Sequence, residues 1–269
     1  MTIMTTDAIT IALTLSLLTN FSKWGSRNSP PIVIIPSPLI LARTYKELAA
    51  LLSPHFQVLI PDLPGTGSTS GEGKSWKTED YSEWIKTFMD TLHISKSVIL
   101  GHSNSGPIAL KLALAHPDKV LAIILADSTG LAKFSYLRLL TGRFIDLFYE
   151  LKFSFFAGLH LFSNVLFHPL NFSRQLQISV KENYHEEFLR LKSPVLFLWG
   201  AKDRTVPLKL VQELESSLGN AHLYVFPKGS HDWILTNPKE AGEVIISYIL
   251  GQRKVGDRLT DEEQTKLFN

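Results

Sequence analysis

The sequence predicts an α/β fold: a mostly parallel sheet of about eight strands, covered by helices on both faces. Three observations carry that expectation. Short apolar runs alternate with stretches of helical period along most of the chain. The runs are continuously apolar, as strands buried on both faces must be. One of them, Val98 to Leu100, leads through Gly101-His102-Ser103-Asn104-Ser105 into a helical pattern. That Gly-x-Ser-x-small turn between strand and helix has the layout of a nucleophile elbow, which presents one hydroxyl above the sheet. Small residues are needed around it because strand and helix backbones come close. Gly101 meets that need, and Ser105 is a tolerable substitute for glycine.

The elements follow in order. Ile9 to Ile11 and Leu15 to Trp24, closed by Gly25, read as an N-terminal strand pair. Pro31 to Pro36 is a buried strand with a proline stop. Tyr45, Leu48, Ala49 and Leu52 mark a short amphipathic helix, and Phe56 to Ile60 the next strand. Tyr81, Trp84, Ile85, Phe88, Met89 and Leu92 share one helical face, with Thr78 as N-cap. The elbow strand and its helix, which ends near His116-Pro117, come next, then a strand from Val120 to Ala126 ending at Asp127. Residues 131–190 break the rhythm with aromatics at mixed spacing and read as a helical insertion. Rhythm returns with a strand from Pro194 to Trp199, a helix from Pro207 to Leu218 stopped by Gly219, a strand from Leu223 to Phe226, and a helix from Pro238 to Leu250. The tail from Gln252 is polar. The expected organisation is a core over 1–130, a helical cap over 131–190 and the rest of the core over 191–269.

Composition narrows the function classes. With 269 residues, 45% of them hydrophobic, one large core is possible. A net charge of +2 is no nucleic-acid footprint. The absence of cysteine excludes thiolate nucleophiles, thiolate metal sites and disulfides. Ala8 to Leu18 is apolar but too short to span a bilayer. Asp7 replaces the basic residues a signal peptide carries there. A cytoplasmic location is expected, with export or membrane association through this stretch as the alternative.

In a parallel sheet the site lies beyond the carboxyl ends of the strands. Ser103, Asp203 and His231 each stand just past a strand. A serine hydroxyl becomes a nucleophile when a base takes its proton. Imidazole has the pKa for that task, and a carboxylate fixes its tautomer. The chain order Ser, Asp, His is the one this architecture uses.

Five stretches then resemble, in order, those of the α/β-hydrolase family, of the esterase and acyl-hydrolase kind with a helical cap. They are Phe21-Ser22-Lys23-Trp24-Gly25, Asp62-Leu63-Pro64-Gly65-Thr66-Gly67-Ser68, the elbow, Gly200-Ala201-Lys202-Asp203, and Gly229-Ser230-His231 followed by Asn237-Pro238. The resemblance spans about Phe21 to Leu250. It implies Ser103 as nucleophile, His231 as base and Asp203 as orienting acid, with Asp127 as the runner-up acid. His102 reads as packing.

One departure matters. The family carries His-Gly after its third strand, and the following residue donates a backbone N–H to the oxyanion hole. Here the stretch is Pro36-Ser37-Pro38-Leu39, and Pro38 has no N–H. The other donor, the N–H of Asn104, is intact. Losing one donor costs about 3 kcal/mol of transition-state stabilisation. The Leu39 N–H in a shifted loop, the Ser37 hydroxyl, or weak chemistry are the alternatives.

Two signals fail. Ser68 to Ser75 ends like a phosphate loop but lacks its first glycine and a strand leading into it. The histidines show no spaced ligand pair on one element, so no metal is expected. Nothing in the sequence calls for a cofactor.

The insertion up to residue 180 carries Lys133, Arg138, Arg143, Lys152 and Arg174 against Asp146 and Glu150 among its aromatics. It reads as a cap that buries its aromatics on the core. By extension Phe134, Leu137, Phe144 and Phe148, with Pro38 and Trp233, line an apolar pocket. A face resting weakly on anionic lipid is a further reading. The expected activity is hydrolysis of a small apolar ester or thioester through an acyl-enzyme. The alternatives are carbon–carbon bond hydrolysis on the same triad, or a weakly catalytic ligand-binding module.

Overall fold

The computed structural model describes residues 11–12, 18–66, 69, 76–149 and 169–251. The expectations for Ile9 and Thr10, for Gly67 and Ser68, for the phosphate-loop-like run 70–75, for the insertion's aromatics over 150–168 and for the tail from Gln252 lie outside the described residues.

Two strands, β1 (Ile11–Ala12) and β2 (Leu18–Thr19), pair antiparallel by themselves. The remaining seven are β3 (Phe21–Trp24), β4 (Pro31–Ile35), β5 (Gln57–Pro61), β6 (Ser97–His102), β7 (Val120–Ala126), β8 (Val195–Gly200) and β9 (Ala221–Phe226). They form one sheet in the order β3-β5-β4-β6-β7-β8-β9. Only β3 runs antiparallel to its neighbour. The expectation of about eight strands is therefore corrected to seven among the described residues. The N-terminal pair hydrogen-bonds to itself, and only Phe21–Trp24 joins the sheet.

Helices cover both faces, which is why the strands read as unbroken apolar runs. Val33, Ile35, Ile99, Ile123 and Phe197 point into a cluster with α2 (Thr78–Thr91), α3 (Gly106–Ala115) and Val211 and Leu214 of a helix over Leu208–Ser217. Their neighbours Ile32, Ile34, Val98, Leu100 and Leu196 point into a second cluster with α1 (Lys46–Leu52) and with Ala241 and Ile245 of the last helix, Pro238–Ile249. Successive strand residues face opposite sides, so each run fills two layers at once. Thr78 is not the N-cap of its helix. Lys77 precedes the helix and gives its N–H to Asp80 at 2.9 Å, while the Thr78 hydroxyl reaches Glu182 at 3.1 Å.

The insertion contributes α4 (Tyr136–Tyr149), α5 (Pro169–Lys181) and a single turn, α6 (His185–Phe188). Its two ends are tied together, because the Tyr184 N–H donates to Gly130 O at 2.7 Å and the Phe134 N–H to Val180 O at 3.0 Å.

β4 and β6 lie side by side at the sheet's centre, and the chain leaves them toward opposite faces and opposite edges. This is the topological switch point where α/β sheets hold ligands. The turn Ser37–Leu39 follows β4 and Ser103 follows β6. Asp203 and His231 follow β8 and β9 on the same side of the sheet.

Candidate active site

Ser103 stands in the left-handed region, at φ 56°. A side chain there is strained and persists only where the surroundings dictate it. They do so through close packing on either side. A Cβ on Gly101 would lie 2.5 Å from Ser105 O, and one on Gly106 would lie 1.7 Å from the Ser128 hydroxyl. Ser105 itself has room, and its hydroxyl donates to Pro36 O at 2.5 Å. The positions that must lack a side chain are thus Gly101 and Gly106. Asn104 is the second residue of the 3-10 turn Ser103–Ser105 and has no intrahelical acceptor for its N–H.

Three distant side chains converge on this turn. Ser103 Oγ lies 2.9 Å from His231 Nε2, and His231 Nδ1 lies 2.9 Å from Asp203 Oδ2. The other oxygen, Asp203 Oδ1, accepts the N–H groups of Thr205 and Val206, both at 2.8 Å. A carboxylate accepts only, so His231 Nδ1 carries the proton and Nε2 offers its lone pair to the serine hydroxyl. Burial pushes the imidazolium of His231 down. The charge and hydrogen bond of Asp203 outweigh it, and the net shift is upward. Ser103 is only 7% exposed.

Asp127 has a different place from the one its rank as runner-up acid implied. Its Oδ1 accepts the Gly200 N–H at 2.9 Å, so it braces the start of the acid turn. Burial, reinforced by the Asp203 charge, holds its carboxyl well above the usual range. Asp232, next to His231, is also fully buried. Burial raises its pKa, but Arg143, 2.8 Å away, and the neighbouring imidazoles override that and bring it to about 2.

The insertion reaches the site on both sides. From α4, Arg143 pairs with Asp232, and Asp146 accepts the Thr205 hydroxyl at 2.8 Å and the Thr205 N–H at 3.2 Å. From α5, Gln175 O accepts from Asn104 Nδ2 at 3.1 Å, and the Ser179 hydroxyl lies 2.7 Å from Asn104 Oδ1. The sequence alone pointed to neither helix's contacts.

After β4, the Ser37 N–H donates to the Tyr45 hydroxyl at 3.1 Å, and Ser37 O accepts the Ile40 N–H at 2.8 Å across a tight turn. Pro38 is buried at its tip and Leu39 half-buried. Of the residues expected in a pocket, Phe134 packs against the first core cluster beneath Arg138. Trp233 is fully buried against Phe226 in the second cluster, their ring centroids 4.9 Å apart. Leu137 and Phe144 are each 72% exposed. The side chain of Phe148 lies outside the described ones. His102, His231 and Asp232 bring possible metal ligands within 4.8 Å of one another. Both nitrogens of His231 are already committed to Ser103 and Asp203, so the group is a hydrogen-bond network.

The sheet order, the strained serine at the switch point and the Ser-His-Asp convergence define a hydrolase-type α/β site. Residues 30–161 match a family model described as the alpha/beta hydrolase fold. Similar proteins include a 2-hydroxy-6-oxononadienedioate/2-hydroxy-6-oxononatrienedioate hydrolase of Paraburkholderia phymatum, 27% identical over 78% of this chain and 82% of its own length. A pimeloyl-[acyl-carrier protein] methyl ester esterase of Vibrio vulnificus is 23% identical over 81% of this chain and 94% of its own. Among solved structures, a meta-cleavage product hydrolase of Pseudomonas fluorescens superposes with a TM-score of 0.75 at 22% identity, covering 91% of this chain and 98% of that one. The chain has the α/β-hydrolase fold. Among the described residues, no helix is long and apolar enough to cross a membrane.

Proposed function

We propose that the protein is a serine hydrolase that cleaves carboxylic esters or thioesters of small apolar molecules through an acyl-enzyme. The observation that carries this reading is the unbroken relay from Ser103 through His231 to Asp203, with both links at 2.9 Å. Ser103 Oγ attacks the carbonyl carbon while its proton passes to His231 Nε2. Asp203 holds Nδ1 and stabilises the imidazolium. The oxyanion faces the Asn104 N–H in the 3-10 turn that leads into α3. The turn after β4 supplies the second donor. Pro38 has no N–H and that of Ser37 is bonded to Tyr45, so the candidate donors of that turn are the Leu39 N–H in a shifted loop and the Ser37 hydroxyl. His231 then returns its proton to the leaving alkoxide or thiolate. In the second half-reaction it activates a water that frees the acid and restores Ser103. No step calls for a cofactor.

The aromatic-rich insertion supports an apolar substrate. A weak contact of its exposed apolar residues with a membrane surface, and a cytoplasmic location, are parts of the same proposal. p-Nitrophenyl esters of graded acyl length test it. Release of nitrophenol that depends on acyl length and vanishes in Ser103→Ala is the expected result. Release unchanged by that substitution would overturn it.

A second reading, hydrolysis of a carbon–carbon bond beside a carbonyl, is favoured by the Paraburkholderia relative, whose name specifies a dienedioate substrate. Comparing turnover of such a dienedioate with turnover of the best nitrophenyl ester decides between the two.

A further inference from the structure

Behind the relay lies a buried chain of polar groups that the triad does not use. It starts at Ser37, whose N–H donates to the Tyr45 hydroxyl. Tyr45 Oη lies 2.7 Å from His102 Nδ1. On the far side of the ring, His102 Nε2 lies 3.3 Å from the carbonyl oxygen of His231 and 3.5 Å from Asp232 Oδ1. Both Tyr45 and His102 are fully buried.

The direction of every bond follows from the donors and acceptors. Tyr45 has one hydroxyl proton, and its oxygen already accepts from Ser37. His102 Nε2 faces two acceptors, so the ring proton belongs there, and Nδ1 is bare to accept the Tyr45 proton. Nε2 then carries the ring proton and gives it to the His231 carbonyl. The opposite tautomer would aim a lone pair at a carbonyl and a carboxylate together. The titratable and charged groups around the ring are Tyr45 from the segment before α1, and His231 and Asp232 from the loop after β9, with Arg143 of α4 behind Asp232. Burial, with smaller contributions from His231 and Arg143, outweighs the Asp232 charge and lowers the pKa of His102 to about 4. The ring is thus neutral near pH 7.

We infer that His102, held as its Nε2–H tautomer, is a positioning residue that joins the three loops of the site. It is covalently next to Ser103, it holds the oxyanion turn through Tyr45 and Ser37, and it holds the base loop through the His231 carbonyl. The inference rests on the serine-hydrolase reading for its consequence in catalysis, and on the geometry alone for the tautomer. A single planar ring with one acceptor and one donor at opposite ends is what such a bridge needs. It explains a second feature too: the turn lacking a His-Gly pair is anchored from behind through the backbone N–H of Ser37.

Two measurements test it. NMR of isotope-labelled histidine in the wild-type protein reports which ring nitrogen of His102 is protonated. Nε2–H at pH 7 is the expected result, and Nδ1–H overturns the inference. Separately, labelling by a fluorophosphonate is timed in wild type, Tyr45→Phe and His102→Asn. Tyr45→Phe cuts the arm to the oxyanion turn. His102→Asn keeps an acceptor near the δ position and cuts the arm to His231. Each is expected to slow labelling roughly tenfold and to lower kcat on a nitrophenyl ester while KM stays within about twofold, the signature of misplaced groups. The double variant is expected to be no slower than the more impaired single one, since both cut one bridge. Variants that fold and label at the wild-type rate, whatever their Tm, overturn the inference. Failure of the wild-type protein to label would instead sink the serine-hydrolase reading, and the tautomer measurement would still decide the bridge.

Discussion

Helices α4 and α5 of the insertion touch the site by different chemistry. Helix α4 meets the acid turn and base loop with charges: Arg143 on Asp232, and Asp146 on Thr205. Helix α5 meets the nucleophile's neighbour with uncharged groups, Gln175 O and the Ser179 hydroxyl, around the Asn104 amide. Charges act at a distance and reach the proton on His231. The hydrogen bonds of α5 go to the Asn104 amide, which does not titrate, and hold that residue in place. On the proposed mechanism, one helix therefore governs the pH at which the site works, and the other how well it holds the oxyanion.

Substitutions can break that division. The largest effect is expected from Arg143→Met, which leaves Asp232 charged and buried. A loss of about 3 kcal/mol is expected in chemical denaturation at pH 7. The depressed pKa of Asp232, about 2 against an ordinary 3.8, means that its stabilisation is complete above 3.8 and is lost as pH falls toward 2. The variant's acid-unfolding curve should lose that arm. Because the Arg143 charge lowers the pKa of His231, its removal should also move the activity limb to higher pH.

Next comes Asp146→Asn. The amide keeps one acceptor oxygen, so holding both Thr205 groups turns its NH2 toward the Arg204 N–H that now donates to Oδ1, and a cost of about 1–3 kcal/mol is expected. The activity should drop with it, because the acid turn loosens. A thermal melt and a kcat measurement check the pair.

The wild-type pH profile follows from His231. The base works only when neutral, so kcat/KM should rise with pH along a limb whose midpoint lies above the ordinary 6.5. Stability takes the opposite sign. The contribution of His231 is complete below 6.5 and is lost as pH rises through its raised pKa.

The smallest effect belongs to Ser179→Ala. About 1 kcal/mol, seen as a several-fold lower kcat, is expected with the pH limb unmoved. A shifted limb in this variant, or an unshifted one in Arg143→Met, would erase the division between the helices.

Much of this was legible in the sequence. The triad could be read because Ser103, Asp203 and His231 each follow an apolar run, and parallel strands put all such ends on one side. The elbow's need for small residues was visible too, though not that Gly106, rather than position 105, takes the tightest contact. What stayed hidden depends on how helices rotate after packing. Periodicity places Arg143, Asp146 and Phe144 on one helix, yet it does not say that the charged pair faces the acid turn while Phe144 is exposed. The Thr78 hydroxyl looked local and instead bonds Glu182 across the molecule. The Tyr45–His102 contact joins residues 57 positions apart. No spacing rule reaches that far.

The central claim is that His231 activates the Ser103 hydroxyl for attack. The most direct measurement is the pH dependence of fluorophosphonate modification, followed by intact mass and peptide mapping. One adduct per chain, located on Ser103, is predicted, with a rate that climbs as His231 loses its proton and with no adduct in His231→Ala over the same time. An adduct on another residue, or modification of Ser103 at a rate indifferent to His231→Ala, would contradict the account.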